Sequence, residues 1–168
     1  DLAANPAVIN AHLGGLAADA PGLRVPGAFD GFELAARAVL GQQTTVRAAS
    51  TLAGRLAAAF GEPLETPFEQ LNRLFPTPQR LAQTAAGDIA ALGMPGRRAA
   101  ALVALAGAVA GGDIRLQPGR DVEVVMARLV ALPGIGEWTA QYIAMRALAR
   151  LRGHAPVALP GRAGRSTG

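Results

Sequence analysis

The 168-residue sequence contains neither cysteine nor lysine. Without cysteine there can be no disulfide, no cysteine nucleophile, and no thiolate-bound zinc ion or iron–sulfur cluster. Without lysine, no side-chain amine can form a Schiff base with a substrate. The two histidines, His12 and His154, lie far apart in the sequence and show no metal-ligand spacing. The composition therefore excludes several classes of enzyme, and we expect the protein to require no cofactor.

The sequence also has few aromatic residues and no long hydrophobic run. No apolar segment approaches the roughly 20 residues that span a bilayer, so no membrane association is expected. Apolar residues nevertheless form 51% of the chain, which is too many for a disordered protein. Many recur at the spacing of one helical face, for example Val122, Val125 and Leu129. Strand signals are nearly absent, and the sequence predicts an all-α fold.

Helix-capping residues, prolines and glycines divide most of the chain into short helices. The predicted helices cover residues 7–13, an apolar segment that starts after Asp30 and runs to Phe60 with a break at Gly41, residues 79–83, 88–92 and 97–110, and a helix capped by Asp121. We divide the chain into three parts. Residues 1–29 form a linker with a first helix, residues 30–149 form the core domain, and residues 150–168 form an irregular tail.

Charge is distributed unevenly along the chain, although the net charge is only +4. Residues 1–141 carry 11 arginines and 12 acidic residues, whereas residues 142–168 carry five arginines and no acid. A basic C-terminal stretch suits a polyanion such as DNA. A solvated basic tail would have the same composition, so charge alone does not decide between the two interpretations.

Residues 132–140, with the sequence LPGIGEWTA, lie between two helical patterns. Gly134 and Gly136 predict a tight turn that leads directly into a helix N-terminus. The free N–H groups and the positive end of the helix dipole at such a terminus favour a phosphate group. This is the layout of a helix-hairpin-helix, which binds the DNA backbone without reading its sequence, although the spacing alone is more typical of a simple helix corner. An ordinary corner between two packed helices would show the same spacing.

This segment and three others resemble the helix-hairpin-helix (HhH-GPD) DNA glycosylase superfamily, and within it the bacterial DNA-3-methyladenine glycosylase II family. The other three segments are residues 32–43 (FELAARAVLGQQ), 75–82 (FPTPQRLA) and 91–99 (ALGMPGRRA). All four occur in the order in which the family has them, and the resemblance covers residues 5–149.

The resemblance implies a compact multi-helix glycosylase domain that contains a helix-hairpin-helix. Members of this family flip an alkylated base out of the duplex and hydrolyse its N-glycosidic bond. The resemblance thus implies a monomeric, cytoplasmic, nucleoid-associated enzyme of base-excision repair, whose partner is double-stranded DNA with alkylated bases. We also expect the chain to lack the family's N-terminal domain and its last helices.

The resemblance assigns two aromatic residues to the base pocket and two glutamines to the loop that fills the gap left by the flipped base. Trp138 and Tyr142 match the family's pocket aromatics and, being four residues apart, share one face of a helix. Core packing is the alternative interpretation of this pair. Gln42 and Gln43 match the gap-filling loop, although Gln43 stands where the family can have an apolar wedge. A polar break in the helix at Gly41 is the alternative here.

By the same resemblance, the hairpin supplies the contacts to the DNA backbone and holds a monovalent cation. The expected phosphate contacts are Gly134, Gly136 and Thr139. The expected cation ligands are the main-chain carbonyls of Val130, Leu132 and Ile135. Both assignments require the hairpin turn to lie at the surface.

The family's catalytic residue is missing from its expected position. Hydrolysis relies on an aspartate about twenty residues beyond Trp138 on the family's spacing, because its charge stabilises the positive charge that develops on the sugar. That position falls near Ala158, and no acidic residue follows Glu137. We therefore assign no catalytic residue and expect the chain to be inactive as it stands. We interpret residues 150–168 as the product of a disrupted reading frame.

Three hypotheses for the function follow. The chain is an alkyl-base glycosylase that is inactive as it stands, a non-catalytic module that binds damaged or plain DNA through its hairpin, or a purely structural helical domain. Release of a methylated base separates the first hypothesis from the second. Salt-dependent binding to DNA separates both from the third.

Overall fold

Seven helices account for the regular structure of residues 26–148, the part of the chain that the computed structural model describes. They are α1 (Gly31–Leu40), α2 (Val46–Phe60), α3 (Pro78–Ala82), α4 (Ala86–Ala90), α5 (Gly96–Ala110), α6 (Val122–Val130) and α7 (Glu137–Ala147). Pro63 and Arg73 form an isolated antiparallel bridge, and no strand forms within these residues. The all-α prediction is confirmed. The helix predicted at residues 7–13, the tail and Ala158 lie outside the described residues.

Side-chain caps start three of the helices where the sequence predicts them. Asp30, Thr77 and Asp121 each accept a hydrogen bond from a main-chain N–H in the first turn of α1, α3 and α6. Thr45 does the same for α2, so the break predicted at Gly41 separates two helices. Each such cap stabilises its helix by about 1 kcal/mol.

The short helix predicted over residues 88–92 lies two residues earlier, at Ala86–Ala90. Its N-cap, Ala85, has no side-chain group that accepts a hydrogen bond, so the sequence gives no capping signal for the start of this helix. Gly93 has φ +101 and ends the turn that follows the helix rather than the helix itself. Gly93 therefore predicts a helix end that lies beyond the observed end at Ala90.

The core is one cluster of buried apolar side chains to which all seven helices contribute. Helix α5 packs against three others, α1, α3 and α4, and helix α7 packs against α1 and α6. The largest fully buried side chains include Leu40, Leu56, Leu81, Leu102, Leu105, Leu129 and Ile143. Within residues 26–148, no helix combines the length and the apolar character that a membrane span requires.

Gly31 is the first residue of α1 and lies directly against Leu116, in the segment before α6. An ideal Cβ at Gly31 would lie 2.1 Å from the main-chain oxygen of Leu116, so the backbone would have to move to accommodate a side chain. We expect Gly31→Ala to lower the free energy of unfolding by about 1–3 kcal/mol, the usual cost of overpacking. Urea denaturation of both proteins measures the difference.

Gly54 provides the matched control, because it lies inside α2 and an added Cβ there would meet nothing within 4 Å. Alanine has the higher helix propensity, so Gly54→Ala should raise the free energy of unfolding by about 0.5–1 kcal/mol. If both variants shifted the urea midpoint in the same direction, the close contact at Gly31 would not be the determining factor.

Candidate nucleic-acid interface

The candidate interface is built on the turn between α6 and α7, which occupies residues 131–136. The N–H of Ile135 donates to the carbonyl of Leu132 at 3.2 Å and closes the turn. Gly134 has φ +83, a left-handed conformation that glycine adopts without strain. A Cβ at Gly134 would lie 2.8 Å from the Cβ of Ala101 on α5. The backbone conformation and the packing of the turn on α5 therefore both require glycine at this position.

Gly136 is the N-cap of α7 and is extended, with φ −84 and ψ 168, a conformation that any residue can adopt. A Cβ there would meet nothing within 4 Å, so the fold itself does not require glycine. Among residues 26–148, no side chain caps α7. The N–H groups of its first turn are therefore available to bind an anion, and the missing Cβ leaves room for one to approach.

Two arginines occupy the first turn of α5, beside the hairpin. The main-chain oxygen of Arg97 lies 3.8 Å from a Cβ built on Gly134, which places the start of α5 against the turn. Arg97 is exposed and Arg98 is half-buried. The exposed Arg97 adds positive charge to the start of α5, which packs against the turn, and positive charge attracts phosphate.

Gln42 links the loop after α1 to the hairpin. Its side-chain Nε2 donates to the carbonyl of Gly134 at 3.0 Å and to the hydroxyl of Thr139 at 3.2 Å. The guanidinium of Arg98 donates to the main-chain carbonyl of Gln42. Thr139 is only 4% exposed, so its hydroxyl lies inside the protein. The DNA contacts expected of Gln42 and Thr139 stay predictions, and both side chains already have partners within the fold.

Gln43 follows on the same loop and is exposed. Its φ is +51, and it is the one non-glycine residue with a positive φ within residues 26–148. A left-handed conformation costs a residue with a Cβ about 1 kcal/mol, which the surrounding structure has to offset. Exposed residues in such conformations occur at sites that engage a partner. The gap-filling role of Gln43 stays a prediction.

Trp138 and Tyr142 form an aromatic pair on α7. Their ring centroids lie 5.8 Å apart with an interplanar angle of 11°, which is a stacked arrangement. Trp138 is 73% exposed, so the interpretation of the pair as core packing is wrong for this residue. A large exposed indole next to an uncapped helix N-terminus is available to a planar, electron-poor ring.

Arg146 extends the aromatic pair by one further turn of α7. In the sequence it stands out only as one of the five arginines of the basic C-terminal stretch. Its Nη1 donates to the hydroxyl of Tyr142 at 3.0 Å, and its guanidinium carbon lies 5.7 Å from the centroid of the Tyr142 ring. Its Nε donates to the main-chain carbonyl of Pro26 at 2.5 Å. The available signal is the four-residue spacing from Tyr142, which places the two residues on one helical face.

The carbonyls expected to bind a monovalent cation differ in their partners. The carbonyl of Leu132 accepts the N–H of Ile135, whereas those of Val130 and Ile135 accept no hydrogen bond within residues 26–148. Unpaired main-chain oxygens suit a hard cation, so the chemistry of these donors fits such an ion, and the site stays a prediction. Among the described side chains, no cluster of three histidines or acidic residues could hold a metal ion.

Comparison with known proteins gives consistent findings. A family model described as HhH-GPD superfamily base excision DNA repair protein matches residues 36–156. The chain is 47% identical over 146 residues to DNA-3-methyladenine glycosylase 2 of Escherichia coli, which covers 87% of this chain and 51% of that protein. It is 40% identical over 154 residues to the probable bifunctional transcriptional activator/DNA repair enzyme AlkA of Mycobacterium tuberculosis, which covers 88% of this chain and 30% of that one.

Solved structures share the fold at lower identity. The 8-oxoguanine glycosylase/lyase of Clostridium acetobutylicum, in complex with double-stranded DNA, matches with a TM-score of 0.71 at 17% identity over 89% of this chain and 53% of that one. These likenesses show the all-α glycosylase fold with its helix-hairpin-helix. The chain spans about half the length of the Escherichia coli relative, or less for the Mycobacterium tuberculosis relative.

Proposed function

Because the chain belongs to the HhH-GPD superfamily of base excision DNA repair proteins, we propose that it acts on alkylated bases in double-stranded DNA. In this proposal the hairpin between α6 and α7 binds the DNA backbone, and an alkylated base that is flipped out of the duplex lies beside Trp138. We also propose that the chain acts as a monomer on the nucleoid, in the cytoplasm.

The open N-terminus of α7 is the observation that carries this proposal. Neither the backbone conformation of Gly136 nor any neighbouring atom requires glycine at this position. We therefore infer that glycine is needed there for contact with a binding partner. A phosphate group accounts for it, because free N–H groups and the helix dipole both favour an anion at close approach. Phosphate contacts of this kind position a protein on the duplex without reading its sequence.

The exposed face of Trp138 supports the second part of the proposal. Alkylation places a positive charge on a purine ring, and such a ring stacks favourably on an indole. Unstacking a base from the duplex costs a few kcal/mol and costs least when the base is damaged. Gln43 is the residue on this surface that would enter the gap left in the duplex, because it is exposed on the loop beside the hairpin.

We also propose that main-chain carbonyls of the hairpin hold a monovalent cation. Val130, Leu132 and Ile135 would hold the ion. Its charge would strengthen the attraction of the hairpin for phosphate.

Both relatives are named for repair enzymes, and one for a 3-methyladenine glycosylase. We therefore propose hydrolysis of the N-glycosidic bond of alkylated bases as the reaction to which this domain belongs. The 168 residues supply no acid after Glu137, so base release by this chain itself needs a separate measurement. The alternative is a non-catalytic DNA-binding module, which would use the same hairpin.

Trp138 is the single tryptophan of the sequence, so its fluorescence reports directly on the proposed pocket. We expect a duplex that carries a methylated base to quench this fluorescence, because an electron-poor base stacked on an indole accepts an electron from its excited state. The quenching should weaken steeply with added salt, since binding depends on phosphate contacts. An undamaged duplex of the same sequence is the control and should quench less. Unchanged emission with both duplexes would contradict the placement of the base.

A further inference from the structure

We infer that Gln42 is a positioning residue, whose side-chain amide couples the loop of residues 41–45 to the hairpin and holds the two as one unit. The inference rests on the proposed function, which assigns both elements to the same duplex. It gives Gln42 a role inside the protein, distinct from the contact with DNA that the resemblance implies.

The amide group of Gln42 has two N–H donors, and two acceptors on the hairpin lie within hydrogen-bond distance of its nitrogen. The carbonyl of Gly134 is 3.0 Å away and the hydroxyl of Thr139 is 3.2 Å away. Gly134 belongs to the turn, whereas Thr139 belongs to the first turn of α7. One side chain therefore fixes the turn relative to the helix N-terminus that binds phosphate in our proposal.

The loop end of this link is fixed as well. Arg98 donates to the main-chain carbonyl of Gln42, so α5 holds the backbone at this point. Gln42 is half-buried and Thr139 is buried, so water competes less for the hydrogen bond between them than for the exposed bond to Gly134. Gln43 is the next residue, and the fixed position of Gln42 helps to hold it in its left-handed conformation.

Gln42→Met tests the coupling, because methionine has a similar length and shape but no donor. The N–H of Ile135, which is hydrogen-bonded to the carbonyl of Leu132 in the turn, reports on the hairpin. In the variant without DNA, we expect this N–H to exchange with solvent about tenfold faster, because the loss of two modest hydrogen bonds has an effect of this size. Affinity for a duplex should fall by a similar factor of about ten. Hydrogen exchange and duplex titration measure the two effects.

Gln141→Met is the matched control, because Gln141 is an exposed glutamine on α7 whose amide donates to the carboxylate of Glu137 at 3.5 Å, within the same helix. It should keep the parental exchange rate and affinity. Thr139→Ser retains the hydroxyl and should therefore lose less than a variant that removes it. Thr139→Val removes only the bond to Thr139 and leaves the bond to Gly134, so it should change exchange and affinity in the same direction as Gln42→Met but by less. The double variant should lose less than the two single variants together, since both remove the Gln42–Thr139 bond.

The salt dependence of binding separates positioning from a general loss of stability. Gln42→Met should give a shallower dependence of affinity on salt, because a misplaced hairpin neutralises fewer phosphates at once. If Gln42 only stabilised the fold, Gln42→Met would lower the urea midpoint of unfolding and leave the salt dependence of affinity unchanged. This result would overturn the inference. Parental exchange at Ile135 in Gln42→Met would also overturn it. Faster exchange combined with no duplex binding by the parent would support the coupling and refute the proposed function.

Discussion

Purified chain incubated with methylated duplex DNA is expected to release no 3-methyladenine above the background rate. The bond between base and sugar breaks as positive charge develops on the sugar, and a nearby carboxylate stabilises that state. No acidic residue follows Glu137 in the 168 residues, and the position expected for the aspartate falls near Ala158. The loss of one well-placed electrostatic group can reduce a rate by roughly a hundredfold or more.

Glu137 is the acid closest in sequence to Trp138, but its position argues against a catalytic role. Adjacent residues point about 100° apart around a helix, so Glu137 and Trp138 do not share a face of α7. Glu137 is exposed, and its carboxylate accepts a hydrogen bond from Gln141 at 3.5 Å. In the first turn of α7 it complements the positive end of the helix dipole.

The control for this measurement is a chimera in which an aspartate-bearing segment from a family member replaces residues 150–168. The chimera should release 3-methyladenine under conditions in which the parent chain does not. Base release by the unmodified chain would show that another acid performs the role. Glu137→Gln would then be the first variant to test, since it removes the charge and keeps the shape.

Gly136→Val is expected to abolish most of the binding to duplex DNA without weakening the fold. The valine would adopt the extended conformation of the N-cap without strain, and its Cβ would meet nothing within 4 Å. Its branched side chain would instead fill the space through which a phosphate approaches the N–H groups of α7. Loss of two charge-assisted hydrogen bonds corresponds to roughly a hundredfold in affinity. Anisotropy of a labelled duplex measures the binding, and urea denaturation measures the stability.

Gly107→Val makes the same substitution in an equally open place. Gly107 lies in the C-terminal half of α5, six residues beyond the contact between Ala101 and the hairpin, and a Cβ there would meet nothing within 4 Å. This variant should bind the duplex like the parent. Parental binding by Gly136→Val as well would show that the hairpin is not the element that binds DNA.

Local signals in the sequence predict most of the helices. Asp30, Thr77 and Asp121 cap α1, α3 and α6 as their residue types indicate, because a cap acts on N–H groups only two or three residues away. The one clear misplacement, α4, starts at an alanine that offers no capping group. The start of α4 carries neither a side-chain cap nor a proline, so it depends on tertiary packing, which one sequence does not reveal.

The site shows the same division between local and distant causes. Two glycines two residues apart predict the turn, and four-residue spacing predicts that Trp138 and Tyr142 share a face. The hydrogen bonds of Gln42, in contrast, reach residues 92 and 97 positions further along the chain. The exposure of Trp138 likewise depends on which helices cover α7, so the four-residue spacing alone, which is usual for a pair in the core, does not reveal its surface position.

The two glycines of the hairpin also have different evolutionary prospects. Position 134 is tied to position 101, where alanine is already the smallest residue with a side chain, so a change at 134 would require a compensating change on α5 as well as a relaxed backbone. At position 136 a side chain would meet no neighbour within 4 Å, so no compensating change inside the protein would be needed. In a descendant that no longer bound DNA, neutral substitution should therefore replace Gly136 early, whereas selection for the fold should retain Gly134. The residues at positions 134 and 136 of a relative would then indicate whether selection maintains DNA binding or only the fold.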